Sequence, residues 1–317
     1  MSRILEALRK ARQTPTGAVE NLPDVEEIIA TGSHAVAGAV AHSPTALPEG
    51  MEKLLSNPPA ETFLTVEDRP LLLSCRQCDW PKSTERLAFL NEKAEISGKE
   101  QFRTLRSLLY QVRSRGELKV VTVSSAIPGE GKSFVAANLA HAFSAQSGRR
   151  ALLIDADMRK ATGLVGTLDA PSSPGLTEYL LGEKQLEDIL QVGKLPRLYL
   201  IPAGRRIPQP GELIGDPKFG ALLEQLKPLF DWIVIDTPPV LPTADARVIA
   251  DVSDGVLLVV NSKTHSELAR RAAQEFRHDS VLGVVLNRAA DVSDARYPGY
   301  GYGYGYGYGY GTEKTGS

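Results

Sequence analysis

The sequence predicts an α/β fold: a mainly parallel sheet with helices on both faces, a three-layer sandwich. Three observations predict it. The strand-like runs are continuously apolar rather than alternating, as in strands buried on both faces. Helical stretches alternate with these runs. The first run, Leu118 to Val123, enters a glycine-rich turn that opens a helix over Phe134 to Ala145, the setting of a phosphate-binding loop.

Two flanks surround this core. Residues 1–13 read as an amphipathic helix, with Ile4, Leu5, Leu8 and Ala11 on one face and basic residues largely elsewhere. A docking helix for a partner or an anionic surface, and a short helix packed on its own protein, both fit that pattern. Residues 14–70 are rich in Pro, Ala, Gly, Ser, Thr and Glu with poor periodicity, and are expected to form a flexible linker. Residues 71–96 read as a partly ordered lead-in, with Leu71-Leu72-Leu73 as a short strand. Cys75-Arg76-Gln77-Cys78 supplies only half of a tetrahedral zinc site, so two ordinary thiols are expected.

The core spans 97–290. Glu100 to Arg113 is a predicted helix. Glu100, Arg103 and Arg106 fall near one stripe, which spacing alone reads as a solvated face with an intrahelical ion pair. Further strands follow at Arg150 to Ala156, Leu198 to Pro202, Trp232 to Asp236, Val256 to Val260 and Val281 to Leu286. Helices lie between them: one within Glu212 to Phe230, interrupted near Pro217, one over Ala244 to Ala250 and one over Glu267 to Phe276. Residues 291–317 form a low-complexity tail, expected to be disordered. Tyr297 is followed by six Gly-Tyr dipeptides, which add Tyr300, Tyr302, Tyr304, Tyr306, Tyr308 and Tyr310. Glycine at alternate positions disfavours a stable strand or helix there.

Bulk composition narrows the classes. A net charge of −2 over 317 residues gives no support for a nucleic-acid surface. There is no run of 18 apolar residues and no apolar signal core, so a cytoplasmic chain is expected. Two cysteines exclude a disulfide scaffold.

The chemistry concentrates at the carboxyl ends of the predicted strands, where open α/β sheets bind ligands. In Pro128-Gly129-Glu130-Gly131-Lys132-Ser133-Phe134, glycines let backbone N–H groups curl around phosphates. Lys132 would reach the β- and γ-phosphates, and the Ser133 hydroxyl would hold Mg²⁺. Asp155 and Asp236 end apolar strands and are candidate metal carboxylates. Asp157, one pleat beyond Asp155, is a candidate proton acceptor. Lys132, Asp155, Asp157 and Asp236 form the expected catalytic set for phosphoryl transfer from ATP.

These motifs resemble the bacterial tyrosine kinases, P-loop autokinases of polysaccharide synthesis and export. The resemblance covers Glu100 to Arg288. It rests on the Walker A-like loop at 128–133, Leu153 to Arg159 as a Walker A′ form, and Ile233 to Pro239 as a Walker B form followed by Thr243-Ala244-Asp245-Ala246. Pro202-Ala203-Gly204 and Pro210-Gly211-Glu212-Leu213 resemble a further signature. The resemblance implies a P-loop NTPase fold of the MinD/ParA kind, with ATP and Mg²⁺ as cofactors. It implies that Asn287 and Arg288 contact adenine, and that Glu100, Arg103 and Arg106 serve oligomerisation, against the reading from spacing alone. It also implies autophosphorylation of the tail tyrosines by a neighbour in a ring. A transmembrane chain-length-determinant (Wzz-type) activator would recruit the chain to the inner membrane face, and a cognate tyrosine phosphatase would oppose it. About 20 Gly-rich residues reach roughly 25 Å, enough to enter an adjacent site. Seven phosphotyrosines would add about −10 to −14 charges, which would favour release.

The principal alternative is a ParA/MinD-type positioning ATPase. Those usually carry an extra lysine at the place of Ile127 or Pro128, and the tyrosine tail would have no use in one. An iron–sulfur carrier of the Mrp type places its Cys-x-x-Cys late in the core, whereas Cys75 and Cys78 precede it. A non-enzymatic assembly protein would leave the phosphate loop without a role.

Overall fold

The computed structural model describes residues 69–82, 86–90, 96–160 and 163–289. The expected N-terminal helix, nearly all of the linker and every tail tyrosine lie outside the described residues.

The chain enters at α1 (Arg69–Ser74) and β1 (Arg76–Gln77), then forms α2 (Ile96–Arg113), β2 (Val120–Ser125), α3 (Lys132–Ser144) and β3 (Ala151–Asp155). Three short helices follow, α4 (Leu164–Leu168), α5 (Leu176–Leu180) and α6 (Leu186–Ile189), then β4 (Gln191–Val192) and β5 (Leu198–Ile201). The remainder is α7 (Pro210–Ile214), α8 (Pro217–Leu226), β6 (Trp232–Asp236), α9 (Asp245–Asp251), β7 (Gly255–Asn261), α10 (Ser266–Gln274) and β8 (Val281–Asn287). Proline at the first position of α7 and of α8 presets φ and wastes no helical hydrogen bond. The Asp216 side chain caps α8 by accepting from the Lys218 N–H at 2.8 Å.

Among the described residues the eight strands order as β1-β4-β5-β3-β6-β2-β7-β8, parallel throughout except the β4–β5 pair. Strand pleating sorts the apolar runs onto two faces. Val121, Val123, Ala151, Leu153, Trp232 and Val234 pack under α2, α3 and α4. Val120, Leu152, Ile154, Ile233 and Ile235 face α5, α6, α8 and α9. A third cluster joins Val256, Leu258 and Val260 to α9 and α10. In register, Val123 and Asp155 both stand beside Asp236, so β2, β3 and β6 end on one rim.

The lead-in corrects the sequence reading. Leu71–Leu73 belong to a helix, not a strand: Leu71 and Leu72 pack against the core while Leu73 is exposed, which two-residue alternation does not give. Trp80 and Leu87 are fully buried in the main cluster. Cys75 and Cys78 are free thiols flanking β1, and burial pushes the Cys75 thiol up. Among the described residues no group of three or more His, Cys, Asp or Glu could hold a metal ion, and no helix is long and apolar enough to cross a membrane.

Candidate active site

Between β2 and α3 the chain turns through Gly129 (φ 89°) and Gly131 (φ 95°). Both are left-handed conformations that a Cβ would strain. A Cβ on Gly131 would also stand 2.0 Å from Asn287 Nδ2. No side chain caps α3 and its first turn carries no acid, so its positive end is left for an anion.

Glu130 is buried and occupied within the protein. Its Oε2 accepts the Ile127 N–H at 2.9 Å; its Oε1 accepts the Asn261 N–H at 3.1 Å and the Thr264 hydroxyl at 2.7 Å. Its backbone carbonyl accepts Asn287 Nδ2 at 2.8 Å. The loop is thereby tied to the ends of β7 and β8.

Lys132 points across the rim. Its Nζ lies 3.2 Å from Asp157 Oδ2, 3.5 Å from Asp236 Oδ1 and 3.3 Å from Ser133 Oγ. Burial alone would lower its pKa, but Asp236, Asp157 and Asp155 outweigh burial and hold the ammonium above its usual range. Asp155 accepts the Asp157 N–H through Oδ1 at 3.1 Å. Burial pushes its carboxyl well above the carboxylate range, and the Asp236 charge adds to this. Burial also raises Asp236, opposed by Lys132.

The buried oxygens Asp155 Oδ2 and Asp236 Oδ2 have no hydrogen-bond partner. Two orphaned carboxylate oxygens and a neighbouring serine hydroxyl are the donor set a hard divalent cation takes. The residues present therefore fit Mg²⁺, with the phosphate loop beside it for a nucleotide.

All four expected catalytic side chains meet at one rim. Phe134 lies one residue beyond Ser133, with its ring 5.9 Å from that of Phe102 on α2. Asn287 and Arg288 end β8, but the Asn287 amide is engaged on both sides: its Oδ1 accepts the Arg288 N–H at 2.9 Å. On α2, Glu100 and Arg103 form the intrahelical ion pair that spacing suggested, and both are exposed. Arg106 is partly buried and donates to the Ala142 carbonyl at 2.7 Å, so it leaves their stripe for the end of α3.

Sequence reasoning missed two supports. Arg159 grips Asp245 at two points. Glu178 accepts from the backbone N–H groups of Gly175 and Arg205 and from the Ser173 hydroxyl, with Gly204 packed against its carboxylate. The motif segments 153–159, 202–204, 210–213 and 243–246 contain Arg159, Gly204, Gly211 and Asp245, but nothing in them says which pair.

Comparison with known proteins bears on the same segment. A family model described as an AAA domain matches residues 118–271. Tyrosine-protein kinase YwqD of Bacillus subtilis is 36% identical over 205 residues, covering 64% of this chain and 86% of YwqD. Succinoglycan biosynthesis transport protein ExoP of Rhizobium meliloti is 37% identical over 195 residues, which is 60% of this chain but only 25% of ExoP. The kinase domain of Escherichia coli tyrosine kinase ETK superposes with a TM-score of 0.56 at 29% identity, covering 66% of this chain and 81% of that domain.

Proposed function

We propose, given that this chain belongs to the bacterial tyrosine-protein kinase family, that it autophosphorylates its own tyrosine cluster. As a member it is a protein-tyrosine kinase with a P-loop fold that binds nucleotide. The acceptors we assign are Tyr297, Tyr300, Tyr302, Tyr304, Tyr306, Tyr308 and Tyr310, presented by a neighbouring copy in a ring. The observation that carries this reading is the convergence of Lys132, Asp157 and Asp236 on one rim beside two unpartnered carboxylate oxygens.

In this mechanism the loop from Pro128 to Ser133 and the first turn of α3, which includes Phe134, seat the phosphates of ATP. Lys132 keeps its charge and draws density from the transferring group. Ser133, Asp155 and Asp236 would hold Mg²⁺, which when bound supplies charge neutralisation. The tyrosine oxygen bonds to the γ-phosphorus as the bond from that phosphorus to the β–γ bridging oxygen breaks. The phenolic proton passes to the Asp157 carboxylate.

Similarity to ExoP supports a role in exopolysaccharide polymerisation or export. A transmembrane Wzz-type activator would recruit the chain to the inner membrane face, a tyrosine phosphatase would reset it, and Glu100 and Arg103 would contact the next subunit. The positioning-ATPase alternative gives the seven tail tyrosines no role.

The test mixes two full-length chains with Mg-ATP: one with Lys132→Met, the other with all seven tail tyrosines changed to Phe. Phosphotyrosine on the Lys132→Met chain is expected, and neither chain alone should gain any. No phosphotyrosine in the mixture or in unmodified protein sinks the proposal.

A further inference from the structure

We infer that Asn287 is a positioning residue for the phosphate loop, acting through the Glu130 backbone. The inference rests on the reading that this loop binds a triphosphate.

Both polar atoms of the Asn287 side chain are already held within the protein. Its Nδ2 donates to the Glu130 carbonyl at 2.8 Å, and its Oδ1 accepts the Arg288 N–H at 2.9 Å. Arg288 takes a positive φ of 55°, and its carbonyl accepts the Ser262 hydroxyl at 2.8 Å. The turn leaving β8 is thus closed onto the turn leaving β7, which aims the amide at the loop.

The same peptide is held from its other end. The Glu130 carboxylate collects the Asn261 N–H, the Thr264 hydroxyl and the Ile127 N–H. Glu130 is therefore gripped by its carbonyl from β8 and by its side chain from the β7–α10 turn. Fixing the Glu130–Gly131 peptide fixes the direction of the Gly131 N–H, one of the donors a phosphate would meet. Gly131 admits the amide because it has no Cβ. A loop held in its binding shape loses less freedom when the anion arrives.

The experiment measures the affinity of the full-length chain for Mg-ATP and for Mg-tripolyphosphate, which has phosphates but no base. Asn287→Leu removes the amide at similar volume. Thr264→Val removes the opposite tie from a residue with no expected base contact. Both variants should weaken ATP and tripolyphosphate by the same factor, about three- to tenfold, with melting temperature followed in parallel. A variant that loses ATP but keeps wild-type tripolyphosphate affinity would show Asn287 to be a base contact and overturn the inference. Unchanged affinity for both probes would overturn it too. Wild-type chain that binds neither probe would overturn the triphosphate reading itself.

Discussion

Arg159 and Asp245 meet in a two-point ion pair, Nε to Oδ2 at 2.7 Å and Nη2 to Oδ1 at 3.0 Å. The pair joins the loop after β3, which carries Asp157, to the start of α9. Gly211 of α7 sits against it, where a Cβ would come within 3.0 Å of Asp245 Oδ1. Asp245 is buried and Arg159 is partly exposed, so solvent screens one side. Asp245→Ala should cost about 1–2 kcal/mol by urea denaturation. Arg159→Lys keeps the charge but loses the fork, and should lower kcat for phosphotransfer more than it lowers stability. Equal, small effects on both quantities would remove the pair from the site's support.

Asp155 and Asp236 hold buried oxygens without partners. Burial raises both, so without metal the native state binds more protons than the unfolded chain above about pH 4. Stability of the magnesium-free protein should therefore fall as pH rises from that point toward their raised values, then level off. Asp155→Asn removes one of these charges while its remaining oxygen can still accept the Asp157 N–H. It should raise the magnesium-free melting temperature by about 2–4 °C and lower phosphotransfer at least a hundredfold. A variant less stable than wild type at neutral pH would contradict this account.

Much of this arrangement was legible in the sequence because it is local. Continuous apolar strands, a glycine turn before a helix, and carboxylates at strand ends each announce themselves within about ten residues. The sequence did not reveal what depends on separation along the chain. Arg159 finds Asp245 across 86 positions and Asn287 reaches the loop across 157. Two-residue strands such as β1 and β4 are too short to show a period, and Leu71–Leu73 gave too few residues to separate helix from strand. Arg106 illustrates the remaining difficulty: spacing set it beside Arg103, but the carbonyl at Ala142 draws it inward.

His141 on α3 is buried, its Nδ1 has no partner, and the Phe89 ring stands edge-on at 5.4 Å between centroids. Burial lowers its pKa from the usual 6.5. The unfolded chain then takes up a proton that the native state refuses, so this residue costs stability as pH falls below about 6.5. His141→Leu should flatten that part of the stability–pH curve and leave the curve above pH 7 parallel to wild type. Identical slopes between pH 5 and 6.5 in chemical denaturation would show that the imidazole charges freely.

Residues ahead of α2 should unfold together with the nucleotide-binding core. Trp80 is fully buried in the main cluster, and its carbonyl accepts the Lys194 N–H at 2.7 Å. Gly193 lies against it so closely that a Cβ would fall 2.3 Å from the Trp80 carbonyl oxygen and 2.5 Å from its ring. Asn138 of α3 accepts the Ala88 N–H at 2.6 Å, which pins the next part of the lead-in near the phosphate-loop helix. Trp80→Ala should cost about 3–5 kcal/mol through the cavity it leaves, and Gly193→Ala about 1–3 kcal/mol through overpacking. Truncation to residue 97 should lower the melting temperature by more than either substitution, because it also removes Leu87 and β1. A truncated chain that melts at the wild-type temperature with one sharp transition would make the lead-in an appendage, and the Trp80 contact would then be a consequence of the fold instead of part of its support.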